Sequence, residues 1–134
     1  MAPGRVSFLF DENLPRRLVR ALRDELGEAA YHVLDVLDAS TPDEDVLRHA
    51  GAHAWCTVSS DRRILRRPSE RAVISELGLG SFFLNDSVSG FCTIVRTVMH
   101  NWPEMKRIAA CQPRPFLYLV RPRSLAPMRR RNLG

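Results

Sequence analysis

Three groups of acidic residues are placed where their carboxylates could hold a metal ion together. The first is Asp11 with Glu12, the second is Asp43–Asp45, and the third is Asp61. Carboxylates that are brought together repel one another, so a cluster of them needs a cation. Oxygen ligands without His or Cys favour a hard ion, Mg²⁺ or Mn²⁺. An ion held in this way activates water beside a phosphate, so the pattern predicts metal-dependent phosphodiester hydrolysis.

The three acidic groups converge only if the elements before them form one sheet. Val6–Phe10 is an apolar run, broken only by Ser7, that predicts a buried strand ending at Asp11. Tyr31–Leu37 and His53–Val58 predict a second and a third strand, each followed by one of the other acidic groups. Because the carboxyl ends of parallel strands share one edge of a sheet, we expect the acids to meet there.

Helical patterns alternate with the predicted strands. Asn13 and Pro15 are typical of a helix start before a run of leucines at helical spacing, and Thr41 with Glu44 forms a capping-box pattern. The remaining predicted elements are a helix over Glu70–Leu77, a strand over Ser81–Leu84, a helix over Phe91–Trp102 with a shorter one over Glu104–Cys111, and a strand over Phe116–Val120. This alternation predicts an α/β fold with a mostly parallel sheet and helices on both faces.

The chain length and the distribution of residue types favour a single domain with a tail. The chain has 134 residues, of which 45% are hydrophobic, enough to form one core. Residues 1–120 carry the alternating pattern and are assigned to the domain. Residues 121–134 are rich in Arg, Pro and Ser without periodicity, and we expect them to form a basic, flexible tail.

Several functional classes lack their sequence signatures. No apolar run reaches the roughly 18 residues of a membrane span, and the N-terminal apolar run is too short for a signal peptide, so we expect a soluble, cytoplasmic protein without a membrane partner. Cys56, Cys92 and Cys111 are too widely spaced for a zinc site. The glycine-rich phosphate loops and the GxSxG motif are absent.

The charge of the chain is compatible with a polyanion partner, although most of the basic residues are expected on the solvated surface. The formal net charge is +5, and Lys106 is the only lysine. Arginine makes bidentate hydrogen bonds with phosphate, so an arginine run beside Asp61 is a candidate for holding a nucleic-acid backbone. The candidate substrate-binding residues are Asn13, Arg62, Arg63, Arg66 and Arg67. The alternative for the arginines is a solvated surface, and for each acid a helix cap.

These motifs resemble those of a known family. Phe8–Leu18, Thr41–Glu44 and Ser60–Ile64, with Arg67–Ala72 after them, are similar to the PIN-like domains of VapC-type toxins. The resemblance implies a three-layer α/β/α sandwich and a Mg²⁺- or Mn²⁺-dependent ribonuclease that acts on RNA. It also implies that the chain is the toxin of a toxin–antitoxin pair, with a cognate antitoxin protein as partner and a homodimer as the assembly.

The same resemblance implies the site residues. The catalytic residues and metal ligands would be Asp11, one acid of Asp43–Asp45, for which we choose Glu44, and Asp61. Many relatives have another Asp where this chain has Arg63, and Asp86 is a candidate for the fourth ligand. These departures keep two alternatives open: a catalytically silent RNA-binding or protein-interaction module on the same fold, and a protein whose acids only cap helices.

Overall fold

A single mostly parallel sheet forms the centre of the molecule. The computed structural model describes residues 6–60 and 67–128. Its strands are β1 (Phe8–Phe10), β2 (Ala30–His32), β3 (Cys56–Ser59), β4 (Gly80–Leu84), β5 (Phe116–Arg121) and β6 (Ser124–Pro127). Their order across the sheet is β2-β1-β3-β4-β5-β6, and every neighbouring pair is parallel except β5 and β6. The predicted α/β fold with a mostly parallel sheet is confirmed.

Helices cover both faces of this sheet. They are α1 (Arg16–Asp24), α2 (Val33–Val36), α3 (Asp43–Ala52), α4 (Pro68–Glu76) and α5 (Phe91–Cys111). Successive side chains of a strand point to opposite faces, so Phe8 and Phe10 pack with α1 and α5 whereas Leu9 packs with α2, α3 and α4. The two resulting hydrophobic cores explain why the strand sequences are apolar on both faces, as expected for the three-layer sandwich.

The second predicted strand is shorter than its apolar run. Only Ala30–His32 is a strand, and Val33–Val36 forms the short helix α2, which His32 caps by accepting a hydrogen bond from the backbone N–H of Leu34 at 3.1 Å. The predicted capping box at the next helix is also wrong. α3 begins at Asp43 after Pro42, without a side-chain cap. A continuous apolar run does not by itself distinguish a buried strand from a buried helical turn.

The two helices predicted on either side of Pro103 form one helix. α5 is continuous from Phe91 to Cys111 with Pro103 inside it. The buried Asn101 fastens this part of the helix to the sheet, because its side-chain amide donates to the carbonyls of Thr97 at 2.9 Å and Arg121 at 2.8 Å. Within the described residues no helix is long and apolar enough to span a membrane.

The end of the sheet also differs from the expected domain boundary at residue 120. Arg121 is the last residue of β5, and Ser124–Pro127 pairs with it as the antiparallel strand β6. Residues 121–128 therefore extend the folded sheet, and residues 129–134 lie outside the described residues. The sequence in and around β6 contains two prolines and shows little periodicity. An edge strand tolerates both features because it needs few backbone donors and buries little of its surface.

Candidate active site

A pocket opens at the carboxyl ends of β1 and β3, on the face of the sheet covered by α2 and α3. The apolar residues that line it include Leu9, Leu47 and Phe83, which belong to the core on that face. The polar residues that line it are Asp11, Glu12, Asn13, Asp38, Thr41, Asp43, Thr57 and Ser59. Several oxygen donors thus converge at the sheet edge on which the parallel strands end, the place where open α/β sheets bind ligands.

Asp11 is held in this pocket from both sides. Its backbone N–H donates to the carbonyl of Val58 at 2.9 Å, which continues the pairing of β1 with β3 beyond the last strand residue. Its carboxylate accepts one hydrogen bond from the backbone N–H of Asn13 and one from the Ser59 hydroxyl, both at 2.6 Å. A carboxylate has about four lone-pair sites on its two oxygens, so these bonds orient Asp11 and leave sites for a further ligand.

The buried His32 supports the loop that carries Asp11. Its Nε2 lies 2.8 Å from the carbonyl oxygen of Leu14, and its Nδ1 accepts from the backbone N–H of Leu34. A neutral ring with its hydrogen on Nε2 satisfies both contacts. The loop after β1 is thus connected to the end of β2. The sequence shows His32 only as an isolated histidine in an apolar run, so this role was missed.

The structure places Asp43, and not Glu44, at the pocket. The carboxylate of Asp43 accepts a hydrogen bond from Arg67 at 2.8 Å and lines the pocket. The carboxylate of Glu44 accepts instead from Arg48, one helical turn along α3, at 3.1 Å. The sequence placed a ligand within Asp43–Asp45, and the geometry favours the first residue of that group because α3 begins there.

Ser59 and Asp38 were not predicted as site residues. Ser59 is the last residue of β3, one position beyond the predicted strand end, and its hydroxyl contacts Asp11. Asp38 lies in the loop between α2 and α3 and lines the pocket. The only feature of the sequence that marks Ser59 and Asp38 is that each directly follows an apolar run. Asp11 has the same feature.

The other predicted site residues divide into three groups: those at the pocket, one away from it, and those outside the described residues. Asn13 lines the pocket and Arg67 contacts Asp43, whereas Asp86 lies in the turn after β4 and is not part of the pocket lining. The remaining predicted residues lie outside the described residues: Asp61, Arg62, Arg63 and Arg66.

An ion pair joins α1 and α2. Arg16, at the start of α1, donates a hydrogen bond to the carboxylate of Asp35 on α2. This contact holds the pKa of Asp35 below its ordinary value. The pair therefore links the two helices that follow the first two strands of the sheet.

The donor set of the pocket fits a hard divalent cation. In residues 6–60 and 67–128 no three acidic, His or Cys side chains lie close enough to form a metal cluster. Mg²⁺ requires fewer protein ligands than such a cluster provides. It commonly binds one or two carboxylates, keeps several waters and coordinates phosphate oxygens of the substrate. Asp11 and Asp43 provide that number of carboxylates in one pocket, and its other polar atoms include the hydroxyls of Thr41 and Ser59.

A comparison with protein families gives one match. A family model described as a PIN like domain matches residues 6–86 of the chain. The matched range covers β1 to β4 and includes every residue that lines the pocket. No curated protein and no solved structure matches the chain significantly.

Proposed function

The chain belongs to the PIN-like domain family, and on this premise we propose that it is a Mg²⁺- or Mn²⁺-dependent endoribonuclease. The family match indicates a module of the nuclease type. The observation that carries the finer proposal is that Asp11 from β1 and Asp43 from α3 line the same pocket at the carboxyl edge of the sheet. Two carboxylates from distant parts of the sequence thus line one pocket, and one or two carboxylates with substrate phosphate are a common ligand set for Mg²⁺.

The proposed metal ligands are Asp11, Asp43 and Asp61, with Asp43 in place of Glu44. When bound, the ion would orient a water molecule and neutralise the negative charge that grows on the phosphate. The hydrogen bonds from Asn13 and Ser59 hold the Asp11 carboxylate in one orientation. This preorganisation reduces the reorganisation that ligand binding would otherwise require.

Besides holding the ion, one of these carboxylates would accept the proton of the attacking water. We assign this second role to Asp43 or Asp61. Arg67, which lies 2.8 Å from Asp43, is a cation at the pocket that can hold the phosphate backbone of the substrate. The arginine run before it, with Arg62, Arg63 and Arg66, would extend this contact along the RNA.

The biological role follows from the resemblance to VapC-type toxins. We propose that the chain is the toxin of a toxin–antitoxin pair, that a cognate antitoxin protein binds it, and that it forms a homodimer. The support for this part of the proposal is the similarity of the motifs around Asp11, Asp43 and Asp61.

One observation favours a second function. Arg67 already compensates the charge of Asp43, so the pocket has an internal cation where a metal would otherwise be required. This arrangement is compatible with a catalytically silent RNA-binding module on the same fold. Metal binding and RNA cleavage, measured separately, distinguish the two functions.

Binding of Mn²⁺ by calorimetry is the direct test. Asp11→Asn keeps a side-chain oxygen for the N–H of Asn13 but removes the negative charge, so the fold is retained while the metal affinity falls. Asp24→Asn is the matched control, because Asp24 is an exposed acid on α1 that pairs with Arg23 outside the pocket. Equal Mn²⁺ binding by the wild-type chain and Asp11→Asn contradicts the proposed site.

Cleavage of a fluorescently labelled RNA oligonucleotide is the second measurement. The wild-type chain is expected to cut the RNA with Mg²⁺ or Mn²⁺ and to stop when a chelator is added, whereas Asp11→Asn is inactive. Metal-independent binding of the RNA without cleavage identifies the silent module.

A further inference from the structure

An exposed aromatic ring lies on the same edge of the sheet as the pocket but in the other helical layer. Phe91 is the first residue of α5, and 42% of it is exposed. The guanidinium carbon of Arg17 lies 4.3 Å from the centroid of its ring. α1 follows β1 and α5 follows β4, so both residues stand where parallel strands end, as Asp11 does.

Among the residues that the structure describes, no carboxylate pairs with Arg17. Its neighbours on α1 are paired, since Arg16 and Arg20 contact Asp35 and Arg23 contacts Asp24. The ion pairs within residues 6–60 and 67–128 include none for Arg17. Its guanidinium is therefore a cation that lies over a partly exposed aromatic ring.

We propose that Phe91 and Arg17 form a stacking site for an unpaired nucleobase of an RNA bound across the edge of the sheet. This inference rests on the proposed function and adds substrate contacts to it. The base would stack on the exposed aromatic ring or on the guanidinium plane, and Arg17 would also contact the adjacent phosphate. An aromatic ring beside arginine is the combination with which proteins bind single-stranded nucleic acid.

The position of the stacking site defines a path for the strand. The pocket with Asp11 lies on the α3 side of the sheet, and the Phe91–Arg17 pair lies on the α1 and α5 side. The loop between them carries Asn13, which is exposed and lines the pocket. An RNA strand that crosses this loop would place one phosphate in the pocket and a base of a neighbouring nucleotide on Phe91.

The surroundings of Phe91 favour RNA over a protein partner. A protein interface has a contiguous apolar centre, but the helix surface after Phe91 carries the exposed residues Cys92, Thr93 and Arg96 before the next exposed apolar side chain, Met99. A single aromatic ring next to a cation can bind one base and its phosphate. It is too small an apolar area to bind the broad apolar surface of a protein partner.

Fluorescence anisotropy with a short labelled single-stranded RNA tests the stacking site. The measurement uses the full chain carrying Asp11→Asn, so that cleavage does not interfere, and compares the same background with Phe91→Ala, Phe91→Trp and Met99→Ala. Stacking of one base contributes enough binding free energy that loss of the ring in Phe91→Ala should weaken RNA binding about 5- to 150-fold. Phe91→Trp should retain the affinity. Met99→Ala is the matched control, because Met99 is 41% exposed on the same helix but lies two turns from the sheet edge.

Each outcome decides the proposal. Loss of affinity in Phe91→Ala together with retention in Phe91→Trp and Met99→Ala supports it. Unchanged affinity in Phe91→Ala overturns it, as does the absence of RNA binding by the unsubstituted background. If Phe91→Ala leaves RNA binding intact but dissociates a dimer in size-exclusion chromatography, the ring belongs to a protein interface and the proposal is wrong.

Failure of the stacking site is distinct from failure of the nuclease. If cleavage depends on Asp11 but Phe91→Ala changes neither cleavage nor RNA affinity, only the proposed stacking site is wrong. Conversely, if the wild-type chain cuts no RNA but binds it in a Phe91-dependent way, only the proposed nuclease activity is wrong.

Discussion

At the scale of single residues, two neighbouring acids at the start of α3 have different environments. Asp43 is the first residue of the helix and points to the pocket, where Arg67 contacts it. Glu44 is turned about 100° further around the helix and pairs with Arg48 on the surface. Two adjacent acids therefore provide one candidate metal ligand and one surface ion pair. Substituting each acid separately distinguishes these two roles.

Asp43→Asn is expected to lower the affinity for Mn²⁺ at least tenfold, because even residues that only support metal ligands contribute about 10- to 100-fold. Glu44→Gln is expected to leave that affinity unchanged, since its carboxylate is directed to Arg48. Calorimetric titration of both variants provides the comparison. A larger loss in Glu44→Gln than in Asp43→Asn would return the ligand role to Glu44.

A second residue-scale prediction concerns His49 on α3. Burial lowers its pKa from the ordinary 6.5, and the charge of His53 lowers it further. The unfolded chain then binds more protons than the folded chain between the lowered pKa and 6.5, so this residue makes the free energy of unfolding decrease as the pH falls through that interval.

Urea denaturation at a pH above and at a pH below this interval measures the effect. The decrease in the free energy of unfolding should be smaller in His49→Phe, which keeps an aromatic ring against Trp55, than in the wild-type chain. His100→Asn, at an exposed position on α5, should show the wild-type decrease. An equal decrease in His49→Phe and the wild-type chain would contradict the assignment to His49.

At the scale of the elements, the central strands pack so closely that β4 requires glycine at its first residue. A Cβ atom on Gly80 would collide with the ring of Phe116 on β5 and lie 3.0 Å from the sulfur of Cys56 on β3. Cys56 is itself buried, and burial raises its pKa to about 11. β4 lies between β3 and β5, so close packing around Gly80 holds the middle of the sheet together.

Gly80→Ala should therefore decrease the free energy of unfolding by about 1–3 kcal/mol, the cost of overpacking a buried site. Gly51→Ala in α3 is the comparison, because its Cβ would meet mainly the movable side chain of Leu77 and alanine is the better helix former. Equilibrium unfolding in urea reports both values. A Gly80→Ala variant as stable as Gly51→Ala would show that β4 can shift to accept the methyl group.

At the scale of the whole molecule, the sheet continues beyond the boundary that the sequence predicts. β6 pairs with β5, Leu125 packs against the core with α1 and α5, and Met128 packs against the other core. The backbone N–H of Met128 also donates to the carbonyl of Leu117 at 2.8 Å. Both cores therefore include residues from the segment expected to be a tail.

A chain that ends at Val120 should unfold at a Tm at least about 4 °C below that of a chain that ends at Met128, which corresponds to about 1 kcal/mol for a domain of this size. The shorter chain loses β6 and exposes the edge of β5, whereas the longer one retains the β5–β6 pair. Thermal unfolding followed by circular dichroism measures the difference. Equal Tm values would restore the domain boundary at residue 120.

The sequence by itself determined the family and the fold class, and it indicated the first candidate site residue. Apolar runs and helical spacing are local properties, so the strand before Asp11 and the helix after it were predictable from consecutive residues. The shared position of the acids after predicted strands then indicated the edge of the sheet at which they belong. The motif around Asp11 carried both the structural prediction and the resemblance to PIN-like domains.

Only the tertiary structure decided which side chains meet. The choice of Asp43 over Glu44 depends on the residue at which α3 begins, and the contact of Ser59 with Asp11 depends on the pairing of β1 with β3. The contact of Arg17 with Phe91 joins helices far apart in the chain. These contacts arise from the packing of distant elements, which the spacing of residues within one segment does not encode.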